Sequence, residues 1–218
     1  MGILMFEDKT FANLSDLDIL TLHLSRFNTI LLKDVVVQST LNVVISEARS
    51  SLFRRNTKNI LPLLGCFAAL DQLSCYYDIQ SQLPKNYTDG ILASLYSFTN
   101  PRINLKDIDT LYALRNGLVH NASLVCVHNK KWYCFRYSKE SDQIVVYPET
   151  EWDGKLSSLS IDKITLINPE KLLKTTEECI SIAKDLLDAK RLSIRKRFTS
   201  QQIKAQFLMP ILRDHESD

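Results

Sequence analysis

The sequence predicts a mainly α-helical protein with a small antiparallel β-meander inserted near residues 122–167. Two observations favour helices: residues 29–53 contain no Gly or Pro, and apolar residues recur at helical spacing in later segments. A third observation indicates the meander, because the inserted region consists of short β-branched and aromatic runs separated by turn-like residues. The 218 residues are divided into one helical domain, residues 1–195, and a C-terminal tail, residues 196–218.

The first part of the chain is interpreted as three helical segments. A short helix is expected over residues 16–27, and a long one over residues 29–53, where the β-branched triplet at 35–37 competes as a strand. Another long helix is expected over residues 58–79, because Pro62 fits its first turn, where a missing N–H costs little. Apolar residues on most sides of this helix indicate a central position in the fold.

The remaining helices lie on either side of the meander. A loop over residues 80–88 and a short helix over residues 89–97 come first, and a helix from about residue 107 to residue 121 follows. After the meander, Pro169 is expected in the first turn of a last long helix, which continues to about residue 195. The tail mixes polar and apolar residues, which indicates a docked or partly disordered segment.

The meander is predicted from three β-rich runs. They cover residues 124–127, 132–137 and 144–147, and turn-like residues separate them. Residues 164–167 are a candidate fourth strand. About half of the aromatic side chains in these strands must form the buried face of the sheet, so alternate ones at most are free to stack on unpaired bases.

Composition limits the classes of protein to consider. The formal net charge is only +2, so any basic surface must be local. The five cysteines are odd in number and include no C-x2-C pair, which indicates free thiols in a reducing compartment and argues against a zinc site. We therefore expect no metal and no cofactor. The apolar start stops at Glu7 and does not resemble a secretion signal, and a cytoplasmic protein without membrane contact is expected.

The most informative residues are Arg115, Asn116 and His120, near the end of the predicted helix over residues 107–121. Arginine forks onto phosphate oxygens, and histidine is the side chain best suited to proton transfer near neutral pH. Cleaving a phosphodiester requires both functions: stabilising negative charge on phosphorus and moving a proton at a ribose oxygen. The alternative is structural, with Arg115 as a solvated helix residue and His120 favoured by the helix dipole.

This run resembles the HEPN superfamily, whose ribonuclease members carry R-x4-6-H with a polar residue, often Asn, after the Arg. The motif covers only Arg115 to His120, and the helical layout extends the resemblance loosely over residues 28–190. The resemblance implies an antiparallel helical bundle, a homodimer and a metal-independent endoribonuclease of the toxin or anti-phage defence type. It also implies that Arg115 and His120 are the catalytic pair, that Asn116 is their polar companion, and that RNA and a protein antitoxin are partners.

Two features qualify this resemblance. The meander departs from the simplest HEPN pattern, in which another helix follows soon after the motif. Some HEPN toxins carry a Tyr two residues after the His that serves in inactivation by a nucleotidyltransferase antitoxin, whereas here the position is Ala122.

One motif His per chain leaves a second proton-transfer group unassigned, and a two-fold dimer with both motifs in one cleft would supply it. The competing function is a non-catalytic HEPN-like helical interaction or RNA-binding module.

Other charged residues have two interpretations each. Asp71, in the apolar helix over residues 58–79, could steady Arg115, although a structural salt bridge elsewhere is favoured. His128 could approach the motif, although an exposed strand position is favoured. The basic cluster at residues 190–197 could bind phosphates or could be a solvated helix end.

Overall fold

The structure is a computed structural model that describes residues 3–27, 29–88, 90–100 and 102–211. Of the described residues, 45% are helical and 18% lie in strands. Strands pair both parallel and antiparallel in two of the three sheets. The expectation of a mainly α-helical, HEPN-like bundle with one β-insertion is therefore wrong, and the described chain is a mixed α/β protein.

The described residues contain seven α-helices and ten strands. The helices are α1 (Asp16–His23), α2 (Thr40–Ser51), α3 (Leu61–Leu73), α4 (Gly90–Ser97), α5 (Leu105–Asn121), α6 (Pro169–Asp188) and α7 (Ser200–Phe207). The strands are β1 (Ile3–Phe6), β2 (Thr29–Leu32), β3 (Val36–Ser39), β4 (Tyr76–Asp78), β5 (Val125–His128), β6 (Lys131–Tyr137), β7 (Val145–Val146), β8 (Thr165–Ile167), β9 (Leu192–Ile194) and β10 (Leu208–Ile211).

The first sheet has the order β1-β2-β3-β10. The helix predicted over residues 29–53 is wrong in its first part, because β2 and β3 form an antiparallel pair in which Ile30 faces Val37. Both side chains are fully buried, so β-branched residues gain more from sheet packing than from a helix. The competing strand interpretation of residues 35–37 is confirmed from Val36 onward. The described part of the tail docks here, because β10 pairs with β3 and α7 packs on α1.

A two-stranded antiparallel sheet joins β4 to β9. It shortens two predicted helices: α3 ends at Leu73 rather than near residue 79, and α6 ends at Asp188 rather than near residue 195. The pairing joins residues more than 110 positions apart, which local periodicity cannot indicate. An ion pair between Asp78 and Arg191 secures the junction.

The third sheet has the order β5-β6-β8-β7. The four predicted strands are present, but the antiparallel meander is wrong, because β8 lies between β6 and β7 and runs parallel to β6. The β5–β6 hairpin does form. Its turn residues Asn129 and Lys130 have φ values of 48° and 65°, as a tight turn with two left-handed residues requires.

Helix α3 lies at the centre of the helical layer, as predicted. It packs against α2, α4, α5 and α6, and Pro62 occupies its first turn. Its buried residues include Leu63, Cys66, Phe67 and Leu70. All five cysteines are free thiols, as predicted, and burial raises the pKa of the Cys66 thiol to about 12. No helix in the described ranges is long and apolar enough to cross a membrane.

His23 is a buried polar residue that joins α1 to α3 and β4. Its Nε2 lies 3.1 Å from Gln72 Oε1, and its Nδ1 lies 2.5 Å from the Tyr76 hydroxyl. Because the Gln72 oxygen can only accept, Nε2 carries the proton and Nδ1 accepts from Tyr76. Burial lowers the pKa of His23 to about 4 from an ordinary value of 6.5, and the hydrogen bond to Gln72 opposes this shift.

We expect the free energy of unfolding to fall as the pH is lowered from about 6.5 to about 4. In this window the unfolded chain binds a proton at residue 23 and the folded chain does not, so the contribution is complete above pH 6.5 and lost by pH 4. Its size is about 3 kcal/mol. Denaturant unfolding of the wild type and of His23→Gln across this range measures it. An identical pH dependence in both proteins would show that His23 does not cause this loss of stability.

Candidate functional site

Helix α5 carries the three motif residues on its last two turns. The Asn104 side chain caps its start by accepting from the Lys106 N–H at 2.9 Å. Its end at Asn121 agrees with the prediction, and Ala122 follows in the left-handed region with φ 49°. The left-handed residue turns the chain back along the helix, so that β5 packs against α5.

The Arg115 guanidinium is the centre of the site. Its Nη1 lies 3.2 Å from Asn116 Oδ1 and 3.2 Å from His120 Nε2. Arg115 and His120 are about 140° apart around an α-helix. The Arg115 side chain therefore wraps around the end of the helix to reach the imidazole. The three residues named from the sequence are therefore in contact, whereas their roles stay a prediction.

The contact between Arg115 and His120 has one donor and one acceptor. A guanidinium group can only donate hydrogen bonds, so His120 Nε2 is the acceptor from Arg115 Nη1, through its lone pair. Because His120 is exposed, an incoming hydroxyl group can reach the same lone pair.

Asp71 of α3 completes the cluster. Its Oδ2 accepts from Arg115 Nη2 at 2.9 Å, and the Asp71 and Arg115 side chains are 33% and 22% exposed. The favoured interpretation of Asp71 as a salt bridge elsewhere is wrong, and the pairing with Arg115 is confirmed. Gly90 makes room for the carboxylate, since its φ is +54° and an added Cβ would lie 3.0 Å from Asp71 Oδ1. The signal in the sequence was an acidic residue in an otherwise apolar helix.

One donor of Arg115 has no protein partner. Its Nε is buried and makes no hydrogen bond within the described part of the chain. Buried donors are nearly always satisfied in folded proteins, so an unsatisfied one calls for an explanation.

Gly117 allows β5 to approach the helix end closely. An added Cβ would lie 2.8 Å from the Ser123 carbonyl oxygen and 3.3 Å from Cys126 Cβ. The neighbouring Cys126 thiol donates to the Ala113 carbonyl at 3.3 Å. A glycine is therefore required here because the backbone of residue 123 approaches the helix.

We expect Gly117→Ala to lower the free energy of unfolding by about 1–3 kcal/mol, because the methyl group overlaps a backbone oxygen that cannot move aside alone. Thermal unfolding measures the change. Asn121→Ala, at an exposed position on the same turn region, is the matched control and should change stability little. Equal stability of Gly117→Ala and the wild type would show that β5 does not pack this closely.

Other candidate residues lie outside the cluster. His128 makes an edge contact with the Tyr112 ring at 5.5 Å, and Tyr112 is about 12 Å along the helix axis from His120. In the basic cluster at residues 190–197, Arg191 pairs with Asp78 and Arg195 donates to the Ser74 carbonyl. These arginines secure the β4–β9 junction. Among the described residues, no three His, Cys, Asp or Glu side chains gather as metal ligands do.

Comparisons with known proteins add no assignment. The chain matches no family model, no curated protein and no solved structure. The chemistry of the cluster must therefore be inferred from its own geometry.

Proposed function

We propose that the protein is a metal-independent endoribonuclease in which Arg115 and His120 act on one phosphodiester. The observation that carries the proposal is the 3.2 Å contact between Arg115 Nη1 and His120 Nε2 beside an exposed imidazole. A general base and a cation that binds phosphate thus lie within one phosphate group's reach of each other. The HEPN resemblance of the motif supports the same activity, although the fold class it implied is not observed.

The reaction is a transesterification. His120 Nε2 takes the proton of the ribose 2′-hydroxyl, and the 2′-oxygen attacks the adjacent phosphorus. The bond from phosphorus to the 5′-oxygen breaks, and that oxygen leaves with a proton from a general acid. The products are a 2′,3′-cyclic phosphate and a 5′-hydroxyl end, so no water or metal ion enters the step.

Arg115 stabilises the charge that builds on the non-bridging oxygens. Asp71 holds one side of the guanidinium through Nη2, and the Nη1 hydrogen that faces His120 is the one proposed to meet a phosphate oxygen. As substrate enters, Nη1 turns from His120 to phosphate, and the 2′-hydroxyl takes its place on Nε2. Asn116 accepts from the same Nη1 and keeps the guanidinium at the end of the helix.

The test uses RNA and DNA of one sequence, incubated with the protein in excess EDTA. Cleavage of the RNA alone is expected, because the DNA lacks the attacking 2′-hydroxyl. Cleavage of both nucleic acids, loss of cleavage in EDTA, or an intact RNA pool at all protein concentrations would refute the proposal. An intact RNA pool with RNA still bound would favour the non-catalytic RNA-binding alternative.

The general acid is proposed to come from a second copy of the chain. A two-fold axis places the same patch on both partners, so two α5 ends can share one cleft and supply two imidazoles. Heterodimers of the wild type with His120→Ala then hold a single imidazole in the shared cleft, so they should cleave RNA far more slowly than half the rate of the wild-type dimer. A monomer that cleaves RNA at high dilution would exclude the shared cleft and leave the ribonuclease proposal intact.

The cellular role is proposed to be that of a toxin or anti-phage protein that a protein antitoxin restrains. The support is the resemblance of Arg115-Asn116 and His120 to the HEPN motif. Expression of the wild type should stop growth, and expression of Arg115→Ala at the same level should not. Growth that is unaffected by an active ribonuclease would exclude this role.

A further inference from the structure

A cavity opens beside the first turns of α5, away from the motif residues. Its volume is about 470 Å³, within the range of pockets that hold a small molecule or a nucleotide. The first turns of α5 form one wall through Lys106 and Thr110, and Trp132 and Tyr133 of β6 form another. Strand β6 pairs with β8 only from Phe135 onward, so Trp132 and Tyr133 precede the paired part of the strand.

The Trp132 ring in this cavity is fixed in place by its neighbours and is still exposed to solvent. Gly154, with φ +84°, lies so close that an added Cβ would be 2.5 Å from the indole, and the Trp152 ring makes an edge contact at 5.9 Å. Trp132 nevertheless keeps 45% of its surface exposed, whereas Trp152 is 6% exposed. A ring fixed by its neighbours and open to solvent is suited to stack on another flat ring.

The cavity also offers lysine ammonium groups to an anion. Lys106 Nζ lies over the Tyr147 ring at 3.6 Å, and Tyr147 is held by its hydrogen bond to Asp107. Lys130 is exposed in the left-handed turn between β5 and β6, and both lysines line the cavity. Three acids also line the cavity, and each has a partner: Glu151 pairs with Lys131, Asp109 accepts from the Tyr87 hydroxyl, and Asp153 accepts from the Ser158 hydroxyl. An aromatic platform beside available lysines matches a base joined to a phosphate.

The cavity and His120 lie on one face of α5. At 100° per residue, Lys106, Thr110 and His120 fall within about 80° of one another. Thr110 and His120 are separated by about 15 Å along the axis. Val125 and Val127 of β5 are exposed and lie between the end of α5 and Trp132. Trp132 is the cross-strand partner of Val127.

We propose that this cavity binds one nucleotide of single-stranded RNA, with the base stacked on Trp132 and a phosphate held by Lys106 and Lys130. The inference rests on the proposed function, because it describes how the substrate of that site is held. The proposal predicts that the protein prefers unpaired RNA, since a base within a duplex has no free face to offer Trp132.

The test measures binding of a single-stranded RNA hexanucleotide to the His120→Ala chain, in which cleavage is expected to be about 10²–10⁴-fold slower. Trp132→Ala should weaken binding by about 5- to 150-fold, the range for losing one stacked base. Trp132→Phe should recover most of the affinity. Lys106→Met should reduce the slope of log affinity against log salt by about 0.7, the value for one phosphate contact to a single strand.

Matched controls separate the cavity from the general surface. Phe53→Ala removes another exposed aromatic ring, 83% exposed, and Lys85→Met removes another exposed cation; neither should change binding. Equal binding of duplex RNA, or a hexanucleotide affinity that Trp132→Ala leaves unchanged, would overturn the proposal. Because binding is measured without cleavage, the two proposals can fail separately. RNA that binds at Trp132 but is never cleaved by the wild type would refute only the proposed ribonuclease activity. RNA that is cleaved without binding at Trp132 would refute only the proposed nucleotide site.

Discussion

Replacing His120 with alanine is expected to slow RNA cleavage by about 10²–10⁴-fold, the usual contribution of a general acid–base group. The loss follows from the position of Nε2, which carries a lone pair and is reachable from solvent. Single-turnover cleavage of a labelled RNA by both proteins in EDTA measures the ratio of the two rates. The free energy of unfolding should change little, because the side chain is exposed on the last turn of α5.

His128→Ala is the matched control, because it removes a histidine that contacts Tyr112 instead of Arg115. Its cleavage rate should stay close to that of the wild type. If His120→Ala cleaves as fast as the wild type, or if His128→Ala is the slower of the two, the assignment of the base to His120 is wrong.

Replacing Arg115 with alanine is expected to cost about 10²–10³-fold in rate, as the removal of one preorganised charge stabiliser does. Arg115→Lys should recover little of this, because an ammonium group cannot hold Asp71 and a phosphate with one planar fork. The same single-turnover assay measures both variants. RNA binding should weaken less than the rate falls, because the charge on the phosphate oxygens grows in the transition state.

Stability has to be separated from catalysis at this position. Arg115→Ala leaves the Asp71 carboxylate, 33% exposed, without its ion-pair partner, so some loss of stability is expected. The double variant Asp71→Asn/Arg115→Ala removes the unpaired charge and should recover stability without recovering activity. Recovered cleavage in the double variant would show that Arg115 serves only to hold the fold.

The motif could be predicted from the sequence because its geometry is local. Arg115, Asn116 and His120 lie within six residues of one helix, so their contact requires only that α5 forms and that a long side chain sweeps around its end. Asp71 is 44 positions away on α3, and its pairing with Arg115 depends on how two helices pack. The sequence indicated that Asp71 needed a partner and offered Arg115 as one possibility, but it favoured a salt bridge elsewhere.

Apart from the β5–β6 hairpin, the order of strands in the sheets could not be predicted, because most of the pairings are long-range. Val36 and Val37 favour a strand only if β2 and β10 are available on either side, and β10 begins 169 residues after β3 ends. The insertion of β8 between β6 and β7 likewise depends on a parallel pairing that no local pattern contains. Helices α3, α5 and α6 were predicted correctly in type because the evidence for them is local: each is a long run rich in apolar residues, and α3 and α6 have a proline in the first turn.

The most direct test of the proposed reaction is the mass of the 5′ fragment released from a short RNA in EDTA. We expect a 2′,3′-cyclic phosphate on that fragment from the all-ribose RNA. We expect no fragment when the nucleotide before the cut carries 2′-deoxyribose, because His120 then has no hydroxyl to deprotonate. A 3′-hydroxyl end with a 5′-phosphate on the other fragment, or cleavage at the deoxy position, would contradict transesterification by Arg115 and His120.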